Sequence, residues 1–133
     1  MNQHNLVFVY GTLLKGEPNH GYLTEAACVE KPCFTNGRLV DTGEGYPALI
    51  EDDYAAVKGE LYAVTDDQLN NINLLEGYYG ENRANLYERK TQNVYSDSQT
   101  YSAFVYFFEN PGNLPYITEN DWRTYQQKTA DDR

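Results

Sequence analysis

Basic residues are scarce in this sequence, whose 133 residues include 10 Lys and Arg against 20 Asp and Glu, giving a formal net charge of −10. This composition argues against nucleic acid as a partner, because proteins bind phosphate backbones through clusters of Lys and Arg. A small anionic ligand is compatible with the charge, since backbone N–H groups and helix termini supply a local positive field.

Cysteine is also scarce, with only Cys28 and Cys33. Because no secretory leader and no metal-like spacing accompany them, we expect two reduced thiols rather than a disulfide, and neither a metal nor a cofactor. No apolar run approaches the roughly 18 residues of a membrane-spanning helix. We therefore expect a cytoplasmic protein with no membrane partner. The sequence carries no signal for an oligomeric state.

Tyrosine, in contrast, is abundant, with 13 copies against 5 Phe and 1 Trp. A phenol ring buries a large apolar area and keeps one polar group, which suits a partly wet sheet or the wall of a cavity. The chain length and the 41% hydrophobic content predict a single domain, residues 1–133, with a core of its own.

Short runs rich in β-branched and aromatic residues, separated by Gly and Pro, predict six strands. The first, LVFVY at residues 6–10, is apolar throughout, like a strand buried on both faces, and ends at Gly11. The pair Asn36-Gly37 indicates either a hairpin turn or a bulge within one longer strand. The remaining predicted strands span residues 33–41, 46–51, 57–64 (with one wetter face), 86–95 and 100–108, the last two joined by a turn at 96–98.

Helical signals are fewer. Thr65 and Gln68 form a capping-box pattern, and Gly77 is a natural C-terminal stop, so a helix is predicted between them. A short helix is expected to begin near Asn19, and another near Thr118 and Asp121 that runs through Gln126, with the tail KTADDR frayed. The lack of βαβα alternation favours an α+β fold, a small curved sheet or barrel with helices at its side.

One carboxylate stands out within this pattern. Glu76 shares the apolar face of the predicted helix with Leu69 and Ile72, and it lies in the last turn, where the helix dipole disfavours an anion. Two interpretations are open: a side chain that reaches water or pairs with Arg83 or Arg89, or a general base whose pKa is raised by burial. The remaining glutamates weighed for this role, Glu51, Glu60 and Glu81, are expected to be solvated.

Two stretches, VFVYGTLLKGEPNH and LNNINLLEGY, resemble the γ-glutamylcyclotransferase-like (AIG2-like) family, the first being most similar to its γ-glutamylamine cyclotransferases. Similar segments follow in the family's order, so the resemblance covers about residues 5–110 (GRLVDTGEGYPALI, VKGELYAV, YERKTQNV and AFVYFF). At Asn73 the sequence departs from the pattern, because members of the family often carry Asp there.

The resemblance implies a small mixed barrel of five to seven strands with two or three short helices. It also implies conversion of a γ-glutamyl amine or γ-glutamyl amino acid to 5-oxoproline with release of the amine. By the same resemblance Glu76 matches the catalytic acid/base. The substrate-binding loop is matched by Tyr10, Gly11, Thr12 and Leu13.

In this chemistry the substrate's α-amine attacks its own γ-carbonyl, so a base must remove a proton. The N–H groups of residues 11–13 are expected to bind either the α-carboxylate or the developing oxyanion, with close approach permitted by Gly11. Tyr87 and Tyr106 are candidates for the pocket wall, or ordinary sheet residues. A catalytically inactive carboxylate-binding protein is the alternative function. A nucleotide site is disfavoured, because no Gly-Lys-Ser/Thr ending follows Gly11.

Overall fold

The computed structural model of the protein describes residues 5–131. Its elements in chain order are β1 (Asn5–Val9), β2 (Ala27–Asn36), β3 (Arg38–Asp41), β4 (Pro47–Ile50), β5 (Ala56–Val64), α1 (Asp66–Leu75), β6 (Glu88–Tyr95), β7 (Thr100–Phe107) and α2 (Trp122–Asp131). Five strands close into a barrel in the order β1-β5-β2-β6-β7. Adjacent strands of the barrel pair antiparallel, except that β1 and β7 pair parallel and thereby close the barrel. The predicted mixed barrel with flanking helices is confirmed.

The remaining two strands, β3 and β4, form a separate antiparallel pair. The single strand predicted over 33–41 is therefore wrong: β2 begins at Ala27, and the chain leaves the barrel at Gly37 before β3 starts. Because β2 and β3 lie in different sheets, Asn36-Gly37 is neither a hairpin turn nor a bulge in one strand. A Cβ at Gly37 would lie 2.8 Å from Leu49 Cδ1, which explains why glycine occupies the exit point.

Helix α1 follows its local signals closely. Thr65 accepts a hydrogen bond from the Gln68 N–H, and the Gln68 side chain accepts one from the Thr65 N–H, completing the predicted capping box. At the other end Gly77 takes a positive φ of 68°. The N–H groups of Gly77 and Tyr78 donate to the carbonyls of Leu74 and Asn73, which is a Schellman motif. The helix therefore ends with Glu76 as its C-cap.

The other two helices differ from their predictions. The helix expected near Asn19 is a single 3-10 turn, His20–Leu23, that Asn19 does not cap, because its side-chain amide donates to Thr12 Oγ1 instead. The last helix, α2, starts four residues after Thr118 and continues to Asp131, so most of the tail predicted to fray is helical. Asp121 precedes α2 and accepts a hydrogen bond from Thr124 Oγ1 at 2.9 Å. Residues 132 and 133 lie outside the described part of the chain.

The core fills the barrel and the space beneath its covering segments. Val7, Phe8 and Val57 are among its fully buried side chains. The predicted wetter face of β5 is wrong at Glu60 and Tyr62, which are both buried. A strand pattern identifies two faces, but it does not reveal that a loop and a helix cover the outer one.

Both cysteines are free thiols, Cys28 exposed and Cys33 buried. Burial raises the pKa of Cys33 to about 12, so this side chain stays a neutral thiol within the core. Among residues 5–131, no helix combines the length and the apolar character required to cross a bilayer.

Candidate active site

A cavity of about 230 Å³ opens at the end of β1. It is bounded by the segment after β1, the C-terminal turn of α1, and strand residues of the barrel. The structure brings together at this cavity all the site residues predicted from the sequence: Tyr10, Gly11, Thr12, Leu13, Glu76, Tyr87 and Tyr106.

The segment after β1, residues 11–15, combines hydrogen-bonded carbonyls with N–H groups that, at its first three residues, have no protein acceptor in the described chain. The carbonyls of Gly11 and Thr12 accept from the N–H groups of Leu14 and Asn19 at 3.0 and 2.8 Å. The carbonyl of Leu13 accepts from His20 Nδ1 at 2.9 Å. In the described part of the chain, no acceptor pairs with the N–H groups of residues 11–13. Such a run of free donors suits an anion.

Gly11 is required by the protein's own packing. A Cβ at this position would lie 2.7 Å from Cγ and 2.8 Å from Cδ of Pro47, distances that side chains do not tolerate. The sequence-based expectation assigned the missing Cβ to close approach of a ligand. The structure fills that space with the Pro47 ring, which lines the cavity beside Gly11.

Glu76 projects into this cavity from the end of α1. The side chain is half-buried, open only in part to solvent, and desolvation raises its pKa from an ordinary 4.5 to about 7. The alternative of an ion pair with Arg83 or Arg89 is wrong, since neither lies in a salt bridge with Glu76 among the described residues. The carboxyl group can therefore exchange a proton near neutral pH.

Asn73, one turn before Glu76, joins α1 to the barrel wall. Its Oδ1 accepts a short hydrogen bond from the Tyr106 hydroxyl and a 3.4 Å bond from Arg89 Nη1. The Arg89 guanidinium lies over the rings of Tyr78 and Phe104, at 4.9 and 4.1 Å from their centroids. Although the family often carries Asp here, the Asn supplies the acceptor that this contact needs.

Three of the four tyrosines that line the cavity, Tyr10, Tyr87 and Tyr106, direct their hydroxyls toward protein acceptors. Tyr10 donates to the backbone carbonyl of Tyr106 at 2.8 Å, and Tyr87 to that of Pro47 at 3.3 Å. Burial raises the pKa of each of Tyr10, Tyr87 and Tyr106 above its ordinary value. They are therefore neutral near pH 7 and contribute to the cavity wall as uncharged groups.

Sequence reasoning missed part of the site. Asn19, Tyr46, Pro47, Leu75 and Leu86 also line the cavity. All but Leu86 lie in segments that resemble the family, but the resemblance alone did not single them out as site residues. Glu60, expected to be solvated, is buried beneath the loop instead. Across the described residues, no group of three or more His, Cys, Asp and Glu side chains could hold a metal ion.

Comparisons with known proteins identify the family of this chain. The model of the family described as "Gamma-glutamyl cyclotransferase, AIG2-like" matches residues 7–124. The chain belongs to this family. It is 36% identical over 125 residues to gamma-L-glutamyl-butirosin B gamma-glutamyl cyclotransferase of Niallia circulans, covering 93% of this chain and 79% of that protein. Human gamma-glutamylaminecyclotransferase is 36% identical over 76 residues, 48% of each chain.

Solved structures of the family share the fold. YkqA from Bacillus subtilis superposes with a TM-score of 0.77 at 27% identity, over 96% of this chain. The chain spans 42% of the length of YkqA.

Proposed function

We propose that this member of the family is a γ-glutamylcyclotransferase that cyclises a γ-glutamyl amine to 5-oxoproline and releases the amine. The observation that carries the proposal is the pairing, in one cavity, of a carboxyl group with a pKa of about 7 and a run of unpaired backbone N–H groups. In this proposal the carboxyl group transfers the proton, and the N–H groups bind the anionic end of the substrate.

Glu76 serves as base and then as acid. It accepts a proton from the substrate's α-ammonium group, and the resulting amine attacks the γ-carbonyl carbon to form the ring C–N bond. The protonated Glu76 then donates to the amide nitrogen as the original C–N bond breaks. The regenerated carboxylate takes the second proton from the ring nitrogen and passes it to the released amine, which leaves as an ammonium ion. A pKa of about 7 keeps both protonation states populated at neutral pH, which a solvent-exposed Glu near 4.3 does not achieve.

The N–H groups of Gly11, Thr12 and Leu13 bind the α-carboxylate of the glutamyl group. No Lys, Arg or His lines the cavity among the described residues, so no side-chain cation meets the carboxylate of the bound substrate, and we assign the unpaired backbone N–H groups to it. Anchoring this end places the α-amine near its own γ-carbonyl, and the intramolecular attack needs little further ordering.

The same lack of cations favours an amine over an amino acid as leaving group. An amino acid would bring a second carboxylate into the cavity, and an unpaired buried charge is costly. Tyr46, Leu75 and Leu86 instead give the cavity apolar surface. The printed name of the human relative, gamma-glutamylaminecyclotransferase, supports the same substrate class.

Two substrates that differ by one carboxylate test the proposal: γ-glutamyl-propylamine and γ-glutamyl-2-aminobutyrate. We expect released 5-oxoproline, measured by mass spectrometry, from both, with kcat/KM at least about tenfold higher for the amine. Glu76→Gln should lower kcat at least about 100-fold, whereas Glu81→Gln, on an exposed side chain, should leave it unchanged.

Each outcome has a distinct meaning. Equal rates with both substrates would contradict the amine preference, and an active Glu76→Gln variant would remove Glu76 from the proton transfer. Saturable binding of γ-glutamyl compounds recovered intact, without turnover, would indicate a carboxylate-binding protein in place of an enzyme.

A further inference from the structure

The backbone of Lys15, at the end of the cavity loop 11–15, is held on both sides by one ion pair. Its N–H donates to Glu60 Oε1 at 3.0 Å, and its carbonyl accepts a short hydrogen bond from Arg123 Nη2. Arg123 Nη2 also donates to Glu60 Oε2 at 3.0 Å. Residues from β5 and α2, which are remote in sequence, thus meet at a single residue of the loop.

Glu60 is an unusual residue to bury in this position. Its residue exposure is 4%, and it also accepts from the Tyr62 hydroxyl at 2.8 Å. Burial acts to raise the pKa of Glu60, but the hydrogen bonds from Lys15, Tyr62 and Arg123 outweigh it and lower the pKa below the ordinary value. The carboxylate is therefore ionised, and both of its oxygens accept hydrogen bonds. An ionised group at this depth is stabilising only while its partners stay in place.

The carbonyl groups of loop 11–15 accept hydrogen bonds from other groups of the protein. The carbonyls of Gly11, Thr12, Leu13 and Lys15 all have donors, from Leu14, Asn19, His20 and Arg123. The N–H groups of residues 11–13 have no acceptor in the described chain, and these three residues line the cavity. Fixing the acceptor side of a short loop fixes the direction of its donors.

We propose that Glu60 and Arg123 are positioning residues for substrate binding, which hold loop 11–15 so that its free N–H groups converge on the substrate's α-carboxylate. This inference rests on the proposed function for the identity of the bound group. Neither residue lines the cavity, so both act through the backbone of Lys15. Without the pair, the loop samples other conformations, and binding the substrate must include the entropy of ordering it.

Arg123→Ala tests the proposal with Lys128→Ala as a matched control. Each substitution removes one cation from α2, and each cation forms a 3.0 Å ion pair, with Glu60 and Glu119 respectively. We expect Arg123→Ala to raise KM for γ-glutamyl-propylamine about tenfold with kcat changed less than about threefold. The pH profile of kcat should not move, because Glu76 is untouched. Lys128→Ala should leave KM unchanged.

Arg123→Lys provides a graded comparison, since a lysine retains the charge but lacks the guanidinium fork that reaches two acceptors. We expect its KM to lie between those of wild type and Arg123→Ala. Hydrogen exchange gives a readout that is independent of turnover. The Leu14 and Lys15 amides, which are both hydrogen-bonded, should exchange at least about tenfold faster in Arg123→Ala than in Lys128→Ala.

The outcomes separate this inference from the proposed function. If wild type releases no 5-oxoproline but Arg123→Ala accelerates exchange at Leu14 and Lys15, the proposed function fails and the positioning of the loop stands. If wild type is active and Arg123→Ala matches Lys128→Ala in both KM and exchange, the positioning role is overturned.

Discussion

The Tyr10 hydroxyl donates a 2.8 Å hydrogen bond to the backbone carbonyl of Tyr106, tying the end of β1 to β7 beside the parallel junction of the barrel. Both residues are buried. Tyr10→Phe should lower the free energy of unfolding by about 1–3 kcal/mol, because it leaves a buried carbonyl without its donor. Urea unfolding measures the change. Tyr54→Phe is the control, since Tyr54 is 98% exposed, and an equal loss in both variants would contradict the assignment.

Gly11→Ala tests the packing of the cavity loop against Pro47. The new methyl group would lie 2.7 Å from Pro47 Cγ, so the loop or the ring must move, at about 1–3 kcal/mol of overpacking. We expect lower stability in urea together with a raised KM. Gly21→Ala is the matched control, because nothing lies within 4 Å of its Cβ position. A stability loss of the same size in Gly21→Ala would mean that the Pro47 contact is not the cause.

Glu76→Gln should change how stability depends on pH. The folded protein raises the pKa of Glu76 to about 7, above the value near 4.3 in an unfolded chain. Stability from this group is therefore fully present below about pH 4 and is lost as pH rises through 7, by up to about 4 kcal/mol. The variant carries no titrating group at position 76, so its free energy of unfolding, relative to that of wild type, should rise from pH 5 to pH 8. Urea unfolding at both pH values measures it, and a constant difference would contradict a desolvated carboxyl.

Asn73→Ala should loosen the C-terminal turn of α1. The substitution removes the acceptor for the Tyr106 hydroxyl and for Arg89, and we expect a loss of about 1–2 kcal/mol in urea unfolding. Asn71→Ala controls for helix propensity, because Asn71 lies on the same helix and is exposed. Asn73→Asp restores an acceptor and should recover most of the loss. If Asn71→Ala lowers the free energy of unfolding as much as Asn73→Ala, the hydrogen bonds of Asn73 to β6 and β7 do not stabilise the fold.

Local signals in the sequence were sufficient where a few neighbouring residues determine the structure. The capping box of Thr65 and Gln68 and the stop at Gly77 predicted α1 closely, because capping depends on contacts three or four residues apart. Helical spacing also placed Glu76 on the apolar face. The family resemblance supplied the loop, and the structure brings the two together at one cavity.

Long-range contacts could not be predicted from the sequence. Glu60 was expected to be solvated because strand alternation assigns it to the outer face of β5. The alternation does not reveal that loop 11–15 and α2 cover this face. Asn36-Gly37 carried a hairpin signal, yet the strands that flank it pair with different partners. Arg123 had no signal at all, since its two acceptors lie 63 and 108 residues away in the chain.

The parallel junction between β1 and β7 also determines when the cavity can exist during folding. Val7 pairs with Phe104, so the chain must be synthesised at least as far as Phe104 before the barrel can close. Pairings of such large sequence separation form late and slowly, because loop closure must precede them. Until β7 docks, Tyr106 is missing from the wall, and Glu76 sits on a helix without the surface that desolvates it. A chain still growing on the ribosome therefore carries the sequence motifs of this site but not its chemistry.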